Sequence, residues 1–204
     1  MEYYFKRDVW KDLLEWKEKS DLSLEVCGAR QVGKTFILKK FCKENFKQFF
    51  YINMSESTGK DFLDSIAVWS EKYSHEHDSS TDILRLMKIY KPDFEDREDT
   101  VVLIDEIQES PRVYNLIRPV TRTLKAKLIV TGSYLGKVLD KEFFLPAGDL
   151  KPLIISSLSF PEFLDIFGKR TRQKECYYIS GYDKNLAQYF ELYKWTGGYP
   201  AVIA

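Results

Sequence analysis

The chain has few of the features that mark a protein for the cell exterior or a membrane. Its three cysteines, Cys27, Cys42 and Cys176, are odd in number, widely spaced and without a C-x-x-C pair. That argues against a disulfide framework or a cysteine zinc site and fits a reducing cytosol. Residues 1–8 are charged and lack the apolar core of a signal peptide, and no apolar run approaches the ~20 residues of a membrane-spanning helix. The expectation is a soluble, cytoplasmic protein with no membrane partner. Net charge is also lacking, because Lys plus Arg and Asp plus Glu both total 31. Bulk charge therefore gives no argument for a nucleic-acid partner, although a local patch is left open. Repeats and low-complexity tracts are absent. The two histidines fall together in His75-Glu76-His77-Asp78, but no further ligand set accompanies them, so a solvated loop is expected rather than a metal site.

What is present can fold. A chain of 204 residues, 44% hydrophobic and 30% charged, holds one sizeable domain or one domain plus a small appendage. Its organising stretch is Gly28-Ala29-Arg30-Gln31-Val32-Gly33-Lys34-Thr35, which fits G-x-x-x-x-G-K-[ST]. Leu22-Ser23-Leu24-Glu25-Val26-Cys27 before it alternates as a half-buried strand does, and Phe36-Ile37-Leu38-Lys39-Lys40-Phe41 after it has helical spacing. Glycines at 28 and 33 let the backbone close around an anion, and successive N–H groups make a nest backed by the positive end of the helix. Gly28, Ala29, Arg30, Gln31, Val32, Gly33, Lys34, Thr35 and Phe36 are therefore the expected nucleotide-binding residues. Lys34 is expected on the β- and γ-phosphates and the Thr35 hydroxyl on magnesium.

The remaining pattern alternates strands and helices. Residues 4–19 predict a first helix and residues 49–54 a second core strand. Helices are expected over 59–69 and 82–90, with a polar insert from 70 to 81 between them. Thr100-Val101-Val102-Leu103-Ile104 is a continuous apolar run, as in a strand buried on both faces of a parallel sheet, and it ends in Asp105-Glu106. Ser110-Pro111 opens a helix with Val113, Leu116, Ile117, Val120 and Leu124 on its core face. Leu128-Ile129-Val130 is a fourth strand, closed by Thr131-Gly132-Ser133. Residues 153–155 suggest an edge strand, residues 159–163 a short helix and residues 186–195 a last long one. The fold class is α/β, with a parallel central sheet between helical layers.

Several side chains could complete the chemistry. Asp105 is placed to hold magnesium, and Glu106 to polarise a water for in-line attack on the γ-phosphate. Either Thr131 or Ser133 could sense that phosphate, Ser133 being preferred, although Thr-Gly-Ser is also ordinary turn chemistry. Arg112, Arg118 and Arg122 are candidates for an arginine supplied to a neighbouring site in an oligomer, with solvated surface arginines as the equal alternative.

Five stretches occur in order: Gly-Ala-Arg-Gln-Val-Gly-Lys-Thr at 28–35, Ile-Asp-Glu-Ile-Gln-Glu at 104–109, Ile-Val-Thr-Gly-Ser at 129–133, Leu-Ser-Phe-Pro-Glu-Phe at 158–163 and Gly-Gly-Tyr-Pro at 197–200. Together they make the chain resemble the archaeal and bacterial AAA-type ATPases related to the STAND signal-transducing class. The resemblance implies a P-loop NTPase three-layer sandwich over residues 1–157, with the Ile129 strand between the P-loop strand and the Asp105 strand. It implies a small helical lid over 158–204, with Pro200 of Gly198-Tyr199-Pro200 near base and ribose and residues 7–10 near the adenine. Family members run on past this point into a C-terminal domain, so the resemblance implies a truncated product whose protein or DNA partner is engaged by the missing part. The function so implied is an ATP/ADP-binding, magnesium-dependent ATPase acting as a switch. A nucleotide-binding interaction module with little turnover is the alternative; a small-molecule phosphotransferase lacks an evident acceptor pocket or arginine-rich lid.

Overall fold

A computed structural model describes residues 7–73, 79–132, 148–167, 170–173, 176–179 and 186–203. The first helix, α1 (Val9–Lys19), leads into β1 (Ser23–Cys27), the glycine loop and α2 (Lys34–Asn45). Next come β2 (Gln48–Asn53), α3 (Ser57–Tyr73), α4 (Ser79–Tyr90) and β3 (Thr100–Asp105). A 3-10 turn at Ile107–Glu109 precedes α5 (Pro111–Tyr114), α6 (Ile117–Thr123), β4 (Lys127–Thr131) and β5 (Leu150–Ile154). The chain continues with α7 (Phe160–Asp165), a hairpin of β6 (Arg170–Gln173) and β7 (Cys176–Ile179), α8 (Leu186–Thr196) and α9 (Pro200–Ile203).

Five strands form one sheet in the order β2-β3-β4-β1-β5, and every pairing in it is parallel. The period of two along each strand divides the core. Leu24, Val26, Val101, Leu103 and Ile129 pack with Leu13, Trp16, Leu38 and Phe41 of α1 and α2. Their neighbours Phe50, Ile52, Val102, Ile104, Leu128 and Val130 pack on the other side with Phe62, Ile66, Leu86, Val113 and Ile117 of α3 to α6. Strand β3 is buried at every position, as its unbroken apolar run requires. The three-layer α/β sandwich and the place of β4 between β1 and β3 are those expected.

Local differences have local causes. The helix expected from Ser110 onward is two short ones, because Pro119 lacks an N–H and its ring would clash with the carbonyl of Asn115, so α6 starts anew at Ile117. The edge strand begins at Leu150 rather than Leu153 and carries Pro152, which an edge tolerates. Helices α3 and α4 extend well into the expected polar insert; the His75–Asp78 tetrad lies outside the described residues. The β6–β7 hairpin was not signalled by any pattern in the sequence.

One partly desolvated carboxyl lies within the sheet. Glu25 sits in the middle of β1 and shares a hydrogen bond with the Tyr114 hydroxyl of α5. Burial pushes the Glu25 carboxyl above its ordinary value of 4.5, with the Tyr114 hydrogen bond opposing. Burial, then the Glu25 charge, pushes the Tyr114 hydroxyl up to about 12. Above pH 4.5 the unfolded chain releases the Glu25 proton before the folded chain does. The folded state then binds more protons, and stability falls as pH rises through that window. Glu25→Gln should remove the effect: its gain in thermal midpoint over the parent is near zero at acid pH and grows as pH rises through that window. Thermal melts of both proteins from acid to neutral pH check this; a gain that does not change with pH contradicts it.

Candidate functional site

The glycine loop takes its shape from backbone conformations that side chains resist. Gly33 has φ +87° and Gly28 φ +153°, and a Cβ on Gly28 would collide with the Ile155 carbonyl. That carbonyl is brought there by β5, whose continuation donates Ile155 N–H to the Cys27 carbonyl at 2.8 Å. Gln31 also lies in the left-handed region at φ 64°. Ala29, Arg30 and Gln31 form the exposed crest of the loop, while Val32 is buried beneath it. Helix α2 begins at Lys34 with Gly33 as its N-cap, no side-chain cap and no acidic residue in its first turn. Its first N–H groups and the positive end of its dipole therefore face the loop, which is the arrangement that binds anions. Phe36, one turn in, is 40% exposed and points away from the core.

Lys34 is buried, and its Nζ donates to the carbonyls of Gly28 at 2.8 Å and Ala29 at 2.7 Å. Burial lowers its pKa, while Glu106 and Asp105 nearby pull it back up. Thr35 Oγ1 donates to Asp105 Oδ2 at 2.6 Å. The Tyr51 hydroxyl from β2 donates to the same oxygen at 3.2 Å, and Glu106 N–H donates to Asp105 Oδ1 at 3.0 Å. Burial, then the Asp105 charge, pushes the Tyr51 hydroxyl well above its usual pKa, so it remains a donor. Glu106, at the end of β3, has φ 53° and ψ 42°, an uncommon conformation for a residue with a side chain.

The structure thus brings Lys34, Thr35, Asp105 and Glu106 to the carboxyl edge of the sheet. Thr131 ends β4 on the face shared with Val26; it is fully buried and its hydroxyl has no protein partner. Ser133 lies outside the described residues. Pro200 at the start of α9 comes against the loop, its Cγ 3.7 Å from where a Cβ on Gly33 would sit. The three candidate arginines serve their own fold: Arg118 and Arg122 bond Asp149 at 2.9 and 2.7 Å, and Arg112 donates to the Ile66 carbonyl at 3.3 Å. A cleft of about 620 Å³ lies at the opposite end of the strands, between Ser20, Asp99, Thr121 and Lys127, and contains none of the motif residues.

Sequence reasoning missed the junction below the loop. Arg7, only 7% exposed, donates Nη1 to the Val32 carbonyl at 3.0 Å, Nη2 to the Ser156 carbonyl at 2.7 Å and Nε to Glu162 Oε1 at 3.2 Å. Glu162 also accepts from Asp8 N–H at 2.7 Å and Ser159 N–H at 2.8 Å, while Ser159 caps α7 in return. The signal was the Ser159-x-x-Glu162 spacing of a capping box, but nothing in it announces an arginine from more than 150 residues away.

These features define a P-loop NTPase. The sequence model of an AAA domain matches residues 21–164, so the chain belongs to that family of AAA-type P-loop ATPase domains. Similar solved structures show the same fold. The Walker-type ATPase of Pyrococcus abyssi superposes with a TM-score of 0.56 at 18% identity, over 98% of this chain and 66% of that one. A STAND protein with a tetratricopeptide-repeat sensor from Pyrococcus horikoshii gives 0.54 at 14%, over 100% of this chain and 29% of that one. The Drosophila origin recognition complex bound to DNA gives 0.50 at 15%, over 78% and 44%. The chain thus spans just under two thirds of the first of these and less than a third of the second. No characterised protein sequence matches closely enough to count as a relative. Among the described residues, no helix is long and apolar enough to cross a membrane.

Breaking a buried ion pair by removing one partner costs about 3–5 kcal/mol. Arg7→Ala should lower the unfolding free energy by that order, and Arg7→Lys, which keeps charge but not the three-way fork, by less. Urea unfolding of the variants measures both; parent-like midpoints for Arg7→Ala contradict the assignment.

Proposed function

We propose that the chain binds ATP with magnesium, hydrolyses it, and uses the bound state as a switch. The observation that carries this is the 2.6 Å hydrogen bond from Thr35 to Asp105. It joins the glycine loop to the end of β3 and pairs a hydroxyl with a carboxylate, the hard oxygen donors that magnesium takes when phosphates complete its shell. This donor set fits the metal: Thr35 and Asp105 would hold it, and it would supply charge neutralisation at the β- and γ-phosphates. The backbone N–H groups of residues 29–35 bind the phosphates, and Lys34 exchanges its two loop carbonyls for phosphate oxygens. Glu106 accepts a proton from the attacking water. The water oxygen bonds to the γ-phosphorus, and the bond to the bridging oxygen breaks with its electron pair leaving on ADP. The buried, unpartnered Thr131 hydroxyl supports Thr131 as a donor to the γ-phosphate, and Ser133 is proposed beside it.

The switch uses residues 158–204 as a lid on the 1–157 ATPase domain, with Pro200 against Gly33 and Arg7 tying Val32 to Glu162. A protein or DNA partner would read the lid. The alternative, a nucleotide-binding interaction module with little turnover, draws support from the engagement of Arg112, Arg118 and Arg122 in their own fold.

Phosphate release and fluorescent-nucleotide binding separate the two. Glu106→Gln should keep ATP affinity and lose about 10²- to 10⁴-fold in turnover; Lys34→Ala should lose affinity, and chelation of magnesium should stop hydrolysis. Equal rates for parent and Glu106→Gln overturn Glu106. Micromolar binding without turnover by the parent selects the interaction module.

A further inference from the structure

The carboxylate assigned to hydrolysis is not left to orient itself. Gln108, two residues on, lies in the 3-10 turn Ile107–Glu109, which closes through Glu109 N–H to the Glu106 carbonyl at 3.0 Å. That turn folds the Gln108 side chain back, so its Nε2 donates to Glu106 Oε2, with Glu109 Oε1 farther off at 3.4 Å. Gln108 is only 8% exposed, and its Oε1 is buried with no protein partner. The amide cannot turn over, since that would set its oxygen against the carboxylate.

Behind the amide lies the end of β4. A Cβ on Gly132 would collide with Gln108 Oε1 and come within 3.6 Å of Ile107 Cγ2. Gly132 is therefore the space in which Gln108 sits. It directly follows Thr131, whose hydroxyl is also buried and unpartnered. A buried glutamine with one end on a carboxylate and the other pressed into a backbone gap has little freedom of its own, and whatever it holds shares that restriction.

We propose that Gln108 is a positioning residue for ATP hydrolysis. Its amide nitrogen holds the Glu106 carboxylate in the orientation from which it takes the proton of the attacking water, and its seat against Gly132 ties that orientation to the end of β4. The proposal rests on Glu106 being the hydrolytic carboxylate. A misplacement of about 1 Å in a catalytic group can cost roughly 100-fold.

The experiment is a double-mutant cycle on the full chain, reading single-turnover ATP hydrolysis, steady-state kcat and KM, ATP affinity and thermal midpoint. Gln108→Met keeps the bulk and removes the donor. It should lower kcat roughly 10- to 100-fold with KM, affinity and midpoint near the parent's. Introduced into Glu106→Gln it should cost nothing further, because the carboxylate it positions is gone. Gly132→Ala should lower kcat similarly, and Gly132→Ala with Gln108→Ala should be no slower than Gln108→Ala alone, which has vacated the contested space. Parent-like kcat in Gln108→Met, or an equal loss in the Glu106→Gln background, overturns the proposal. Parent-like hydrolysis by Glu106→Gln itself would instead remove the premise that Glu106 is catalytic, and the two failures are thereby told apart.

Discussion

Asp105 is held by donors from three directions: Thr35 from the glycine loop at 2.6 Å, Tyr51 from β2 at 3.2 Å and the Glu106 backbone at 3.0 Å. A carboxylate only 3% exposed is costly unless its oxygens are satisfied, so this set of bonds is a constraint on the fold. It requires α2 to start where Thr35 reaches β3, and it requires β2 to lie beside β3 with Asn53 opposite Asp105. The Glu106 backbone then turns sharply away from the strand at φ 53°, and the short elements that follow pack under the sheet. The candidate site and a strand buried at every position are the same piece of chain.

A second anchor lies on the opposite side of the loop. Arg7 lies ahead of the matched domain and Glu162 close to its end, yet they meet under Val32. The guanidinium spends its donors on two backbone carbonyls and one carboxylate, and that carboxylate spends its acceptors on two backbone N–H groups. Bonds of this kind fix geometry better than they add stability, because both charges must first be taken out of water. Their position matters more: the loop, the start of α1, the exit from β5 and the N-terminus of α7 converge on one ion pair. A displacement of the loop backbone would therefore reach α7 through two side chains.

Much of this was legible in the sequence, for reasons that differ from element to element. The unbroken run at 100–104 marked a strand covered on both faces, and G-x-x-x-x-G-K-T between a strand and a helix marked a phosphate-binding loop. Those two patterns located Lys34, Thr35, Asp105 and Glu106. The strand order came from resemblance, since nothing in residues 127–131 says which neighbours they pair with. The break at Pro119 was readable in principle from its missing N–H, but amphipathic spacing across the break masked it. The contacts of Arg7, Glu162, Gln108 and Tyr51 were not read, because they depend on long-range or turn-mediated juxtaposition; Arg7 was expected only as part of a segment near the adenine, and it is buried against Val32, Ser156 and Glu162. Gln108 becomes significant only when the 3-10 turn folds it onto Glu106 and β4 brings Gly132 behind it.

Triphosphate bound in the glycine loop should draw Lys34 off its backbone carbonyls. A crystal structure with magnesium and a non-hydrolysable ATP analogue tests it most directly. Phosphates should be seated on the N–H groups of residues 29–35, with Lys34 Nζ moved from the Gly28 and Ala29 carbonyls to phosphate oxygens. Nucleotide found instead in the cleft at the other end of the strands, or bound with Lys34 still on those carbonyls, would contradict it.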